Sequence, residues 1–411
     1  MDRPPSGLLR PRGTHVHARV TNIELFFDLV FVFAVTQLSH TLLAHLAVRT
    51  AVETTVLFLA VWWVWIYSTW CTNWLDPEHT TVRLLVFALM LAGLLLACSL
   101  PHAFDHEGPL FAWCYVAMQV GRTMFMVWAM RREHPQLTRN FQRVAAWFAL
   151  SGACWIAGTL WEGDRRLALW ALGIAIEYAA AWAGFWVPGL GRSATRDWDI
   201  EGAHLAERCS LFIMIALGES IVVIGATAAA HPATWASVSA FTTAFAGCVA
   251  MWWIYFHVGY DKGTRHIAST DDPGRIARLA YTYLHIPIVA GIVVAAVADE
   301  LVLAHPDGHV DTPFIATTLG GATLFLLGNL GFKAVLWGRV PLSHGVGFVL
   351  LALAGVGATA LSPLALAVAV TAILLLVAVW ETLSLRRPAT PPAPGSPATH
   401  AAPPVPPRSA A

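Results

Sequence analysis

The sequence predicts an all-α polytopic membrane protein of about 12 transmembrane helices, arranged as two parallel six-helix repeats with both termini cytoplasmic. Three observations predict it. The 411-residue chain is 57% hydrophobic and only 12% charged, about half the ~25% charge of a soluble domain. Twelve apolar runs approach the roughly 20 residues that a bilayer core requires of a helix. Lysines and arginines also crowd alternate connections, as the positive-inside rule demands of cytoplasmic loops.

Residues 1–21 are basic and proline-bearing but lack the apolar centre of a signal peptide, so they read as a cytoplasmic N-terminal segment. The first repeat, 22–187, holds runs at 22–45, 51–71, 82–101, 109–130, 141–161 and 166–187. A cytoplasmic linker spans 188–202. The second repeat, 203–385, holds runs at 203–229, 235–257, 277–303, 313–337, 342–361 and 363–383. Turn signals such as NWLDPEH, GRSATRDWD and STDDPGR separate them. Residues 386–411 are a Pro/Ala-rich tail that cannot bury a core and is expected to be disordered and cytoplasmic.

With the N-terminus inside, Arg83, Arg131, Arg132, Arg139, Arg143, Lys262, Arg275, Lys333 and Arg339 all face the cytoplasm. Only Arg49, Arg165 and Arg166 face out, and Arg122 and Arg208 fall inside helices. A missed or invented helix would scramble that alternation.

Short strings recur in the same order in both halves. VWWVWIY at 61–67 parallels VAMWWIY at 249–255, RLLVFAL at Arg83 parallels RLAYTYL at Arg278, and GRTMFMV at 121–127 parallels GATLFLL at 321–327. An even number of helices per unit makes the repeats parallel, related by an axis along the membrane normal.

The balance of 25 basic and 25 acidic residues argues against a nucleic-acid partner. Six cysteines without a C-x-x-C pair read as small buried residues, and the outer histidines lack ligand spacing, so neither a metal nor another cofactor is expected. No G-x-S-x-G, H-E-x-x-H or phosphate-binding glycine loop occurs, and the chain does not read as an enzyme. The expected partners are the lipid bilayer and a small solute or ion; a homo-oligomer is open to it.

Charge inside hydrocarbon is costly and marks function by default. Glu24 and Asp28 are spaced i, i+4 on one face of the first helix, with Asp28 about 9 Å from its start. Arg122 in the fourth helix lies at a depth that permits a pair with Asp28. The seventh helix carries Glu207, Arg208, Glu219 and Ser220, with Glu219 about 16 Å beyond Arg208 and no evident basic partner. Gly218, Ser220, Gly225 and Ala226 are small enough to let another helix approach closely. Glu177 in the sixth helix and His285, just before the kink expected at Pro287, complete the candidate network or pathway. The tryptophans suit interfacial belts.

ELFFDLVFVFAVTQL at 24–38 and HLAERCSLFIMIALGESIVVIGAT at 204–227 resemble the two signature helices of the bacterial low temperature requirement protein A family. WWVWIYSTWCTNWLD and QVGRTMF fit the same family. The resemblance implies a multi-pass protein of the bacterial plasma membrane with a link to growth in the cold, and no particular chemistry. FFDLVFVFAVT is also similar to the F-S-D helix of the endolysosomal and bacterial potassium channels built from six-helix repeats, with Phe27 in place of the serine. That likeness implies that Asp28 braces a pore-lining first helix. The seventh helix departs from the pattern. Taken together, the expected function is a transporter or channel for a small solute or ion, proton-linked through Asp28 and Glu219, with its pathway between the repeats. The alternative is a non-transporting structural or sensory membrane protein of cold adaptation.

Overall fold

The computed structural model describes residues 7–10, 19–257 and 261–385. The expected disordered tail and most of the N-terminal segment lie outside them. Among the described residues there is no β-strand, only isolated bridges joining Leu9 to Leu75 and Val187 to Gly191. The long helices are α1 (Asn22–Ala44), α2 (Val48–Trp74), α3 (Thr80–His102), α4 (Gly108–Met130), α5 (Pro135–Gly158) and α6 (Asp164–Trp182). The second group is α7 (Gly202–Ala230), α8 (Trp235–Tyr255), α9 (Pro273–Ala304), α10 (Thr312–Trp337), α11 (Leu342–Ala360) and α12 (Pro363–Leu385). Ten of these have the length and hydropathy to cross a membrane; α5 and α6 do not reach that threshold. They carry Arg139 and Arg143, and Asp164, Arg165, Arg166 and Glu177.

Several boundaries differ from expectation for local reasons. The sixth run stops at Trp182 because Gly184 and Phe185 both adopt positive φ, which ends a helix. The connection after α8 contains a short helix, Asp261–Ser269, whose Ile267 is buried. In α9 the expected kink takes the form of a π-helical stretch, Ala277–Tyr283, immediately before His285 and Pro287. The wider turn leaves the Thr282 carbonyl free, and it accepts a bond of 2.9 Å from the Trp62 indole. A second π stretch, Ala117–Gly121, interrupts α4 just before Arg122.

α1 packs against α2, α3, α7 and α9, which places it between the two groups of helices. α9 and α10 make the closest approach. An added Cβ at Gly291 would stand 2.4 Å from the Phe325 backbone nitrogen, and one at Gly321 would stand 2.7 Å from that of Ala295. The close approach expected on α7 is absent, since a Cβ at Gly218 or Gly225 would meet open space.

The core is aromatic. Trp62, Trp63 and Trp65 are fully buried at its centre, and Phe212 of α7 lies 4.3 Å from Trp65 and edge-on to Trp62. Those tryptophans are therefore not interfacial, contrary to the belt expected for them. Large apolar side chains left exposed, such as Leu84, Leu91 and Leu95 on α3 or Val349, Leu353 and Val356 on α11, form single helix faces suited to lipid.

Candidate functional site: buried charge networks along the first helix

The loops after α2 and α4, the segment 183–201 and Arg10 gather at one end of the bundle, the basic end; the loops after α1, α3 and α5 gather at the distal end. At the basic end two helices present complementary i, i+4 pairs, Glu24 with Asp28 on α1 and His204 with Arg208 on α7. Arg208 donates to Asp28 through Nη2 at 2.6 Å and Nε at 3.2 Å, and to Glu24 through Nη1 at 3.1 Å. The Trp65 indole donates to Asp28 at 2.8 Å. Arg10 donates to Glu24 at 2.8 Å and to the carbonyls of Thr72 and Leu75. Thr21 closes the group as N-cap, with its backbone N–H and hydroxyl both 2.9 Å from Glu24.

The histidine's role follows from its neighbours. The Asn73 amide oxygen accepts the Glu201 backbone N–H at 2.8 Å, which fixes the amide so that its nitrogen donates to the Glu201 carbonyl and to His204 Nδ1. Nδ1 is then an acceptor, and neutral His204 donates from Nε2 to Glu24 at 2.9 Å. Two guanidinium groups thus balance two carboxylates, and Glu24, Asp28, His204 and Arg208 are all excluded from solvent. The cation of Asp28 is Arg208. The pair with Arg122 suggested by depth does not form.

Arg122 joins a different network. It donates to the Val64 carbonyl at 3.1 Å, the Ser68 hydroxyl at 2.9 Å and the Gln119 side-chain oxygen. Gln119 donates onward to Glu177 at 3.1 Å. Glu177 also accepts from Tyr115 at 2.6 Å, Ser151 at 2.7 Å and Trp155 at 3.4 Å. This cluster pins α4, α5 and α6 to α2, and every member is buried. A carboxylate holding so many donors is a fixed structural acceptor.

His285 is fully buried; its Nδ1 donates to the Ala280 carbonyl at 2.8 Å, and its Nε2 accepts from Tyr255 at 2.8 Å. The remaining candidates stand apart. Glu219 is half-buried and makes no hydrogen bond or ion pair with the described residues. Ser220 bonds only the Ala216 carbonyl of its own helix, and Glu207 accepts the Val20 N–H at 3.4 Å.

Sequence reasoning missed a third network. Lys333, expected to face the cytoplasm at the end of its helix, is buried and donates to Glu381 at 2.6 Å, with His344 3.4 Å from the same carboxylate. Its signal was present in the apolar residues that surround each of the three. Arg166, expected to face out, is also buried and bolts the distal loops by donating to the Ala103 carbonyl at 3.1 Å and the Trp161 carbonyl at 2.9 Å. No group of three or more metal-ligating side chains occurs among the described residues.

Open space borders α1 at the distal end and lies beside Arg10 at the basic end. A cleft of about 760 Å³ at the distal end reaches Gln37 and Leu57 and is bordered by His40, His45, Glu53 and His102. A groove of about 760 Å³ at the basic end includes Arg10, Trp74, Glu133 and His134. Between them, Phe31, Ala34, Val35 and Leu38 of α1 are fully packed.

An all-helical bundle with apolar outer faces and buried ion networks defines a multi-pass membrane protein. Residues 19–379 match the sequence profile of the bacterial low temperature requirement A protein, LtrA, and the chain belongs to that family. It is 41% identical over 363 residues to the uncharacterized protein RA0937 of Rhizobium meliloti (strain 1021), a match covering 88% of this chain and 89% of that one. No solved structure matches the chain.

Proposed function

We propose that the protein is a transporter or channel for a small solute or ion in the bacterial plasma membrane, with its pathway beside α1, between two six-helix repeats. In this reading all of the long helices cross the membrane, both termini are cytoplasmic and the basic end faces the cytoplasm. The arginine-rich loops at that end support the orientation. The meeting of the starts of α1 and α7 supports two units that begin on the same side.

One observation carries the transport reading: the distal cleft opens onto α1, the groove at the basic end opens onto Arg10, which holds Glu24 of α1, and the α1 residues between are packed closed. Glu24 and Gln37, at the margins of that stretch, are 13 residues apart, about 20 Å of helix. The closure has two parts, a packed apolar segment and the lock of Glu24 and Asp28 against Arg208. Opening would require the lock to exchange partners or gain a proton, which is how Asp28 would link movement of solute to protons. Glu219, which has no partner among the described residues, is the second candidate proton carrier.

The test is flux in proteoliposomes for protons, common cations and organic ions. Flux above that of empty vesicles, lowered at least tenfold by Asp28→Asn or Glu219→Gln, is the expected result. Flux that ignores both substitutions sinks the proton link, and absence of flux across the panel sinks transport. The complete pairing of the buried lock favours the second reading, a non-transporting structural or sensory protein of cold adaptation. That reading expects no flux and a loss of stability on neutralising Asp28.

A further inference from the structure

A second kind of site lies at the basic end, away from α1. A narrow cleft, about 50 Å³ within and about 560 Å³ when its open mouth is counted, is walled by Trp63, Tyr67 and Trp70 of α2, Phe141 of α5, and Phe185 and Trp198 of the segment between the halves. Its floor comes from α9 through Arg278 and Thr282, so both groups of helices contribute to it. Two glycines let the intervening segment close over it. A Cβ at Gly274 would stand 2.2 Å from the Thr195 carbonyl oxygen, and one at Gly184, where φ is +68°, would stand 2.5 Å from that of Ser193.

The polar groups of the cleft are unevenly satisfied. Thr282 accepts from Trp70 at 3.2 Å and donates to the Ala277 carbonyl, Ser193 donates to the Gly184 carbonyl, and Thr195 donates to Asp272. The buried side-chain groups left without a partner are both donors, Nε of Arg278 and the indole N–H of fully buried Trp63. Among the described residues Arg278 is also the only charged side chain lining the cleft. Its guanidinium bonds the Ala181 carbonyl at 3.3 Å, rests 5.7 Å from the Trp182 ring and has no carboxylate partner among the described residues. Unpaired buried donors are costly, and aromatic walls favour a flat apolar body.

We propose that this cleft binds a small organic anion with a flat apolar body, whose carboxylate or similar group completes Arg278 and Trp63. The anion would bridge α2 and α5 to α9 and so tie the halves together at a place separate from the charge lock. The proposal stands whether or not the protein transports. A lipid phosphate offers the same charge, but the aromatic walls select a free aromatic anion.

The full-length protein in neutral detergent is titrated with benzoate, benzyl alcohol and benzylamine, following tryptophan fluorescence and thermal unfolding. Saturable quenching and a raised Tm with benzoate are expected, with the alcohol and amine at least tenfold weaker. Arg278→Gln should abolish that preference while leaving the ligand-free Tm in place, and Arg278→Lys should keep part of it. Trp63→Phe, which keeps a ring and removes the N–H, should weaken benzoate several-fold and serves if Arg278→Gln does not fold. Equal binding of benzoate and benzyl alcohol, or benzoate binding indifferent to Arg278→Gln and Trp63→Phe, overturns the proposal. In nanodiscs, benzoate binding that survives added phosphatidylglycerol supports a free anion. Displacement by that lipid assigns the cleft to a headgroup and overturns the choice made here.

Discussion

The string W-W-x-x-I-Y or its near copy stands in both α2 and α8, yet the two copies live in opposite environments. In α2, Trp62, Trp63 and Trp65 are buried among α1, α6, α7 and α9, and they supply hydrogen bonds to Asp28 and Thr282. In α8, Trp252 and Trp253 lie on the outer face, each more than a third exposed, while Ile254 is buried and Tyr255 turns inward to His285. Similar sequence therefore does not impose similar roles. Position in the bundle decides, and α2 became central because α1 and α7 close around it with a charge lock. The second half holds its own pair, Lys333 with Glu381, which fastens α10 to α12 without touching the first half.

The largest expected effect breaks that contrast at its centre. Trp62→Ala should cost about 3–5 kcal/mol by opening a cavity and orphaning the Thr282 carbonyl, whereas Trp252→Ala should stay within roughly 0.5 kcal/mol; reversible unfolding in detergent compares them. Arg208→Gln should be nearly as severe, about 3–5 kcal/mol, because it leaves Asp28 buried without its cation and Glu24 with Arg10 alone. A smaller effect sharpens the difference between the networks. Replacing both Lys333 and Glu381 by methionine should change stability by less than about 2 kcal/mol, since removing a whole buried pair also removes its desolvation cost. The smallest contrast concerns glycines: Gly321→Ala should destabilise by about 1–3 kcal/mol through overpacking against α9, and Gly218→Ala should be neutral or slightly stabilising because it meets open space in a helix.

Much of this was legible in the chain. The apolar runs gave the long helices, and the i, i+4 spacing of Glu24 with Asp28 placed both on one face. His204 and Arg208 have the same spacing with the opposite character, so the lock could have been read by matching the two faces. Depth alone could not choose between Arg208 and Arg122, because it measures one dimension and the choice of partner is lateral. Lys333 sits near the end of its run, where a loop arginine and a buried lysine look alike until the acid at Glu381 is brought beside it. Glu177 was recognisable as costly, but its donors come from two other helices, α4 and α5, and no local pattern announces them.

The central claim is that Asp28 is paired across the halves with Arg208. A double-mutant cycle of Asp28→Asn with Arg208→Gln tests it directly, read by unfolding in detergent. A coupling of at least about 2 kcal/mol is expected, while the parallel cycle of Asp28→Asn with Arg122→Gln should be additive within about 0.5 kcal/mol. Additivity in the first cycle, or strong coupling confined to the second, would contradict the account.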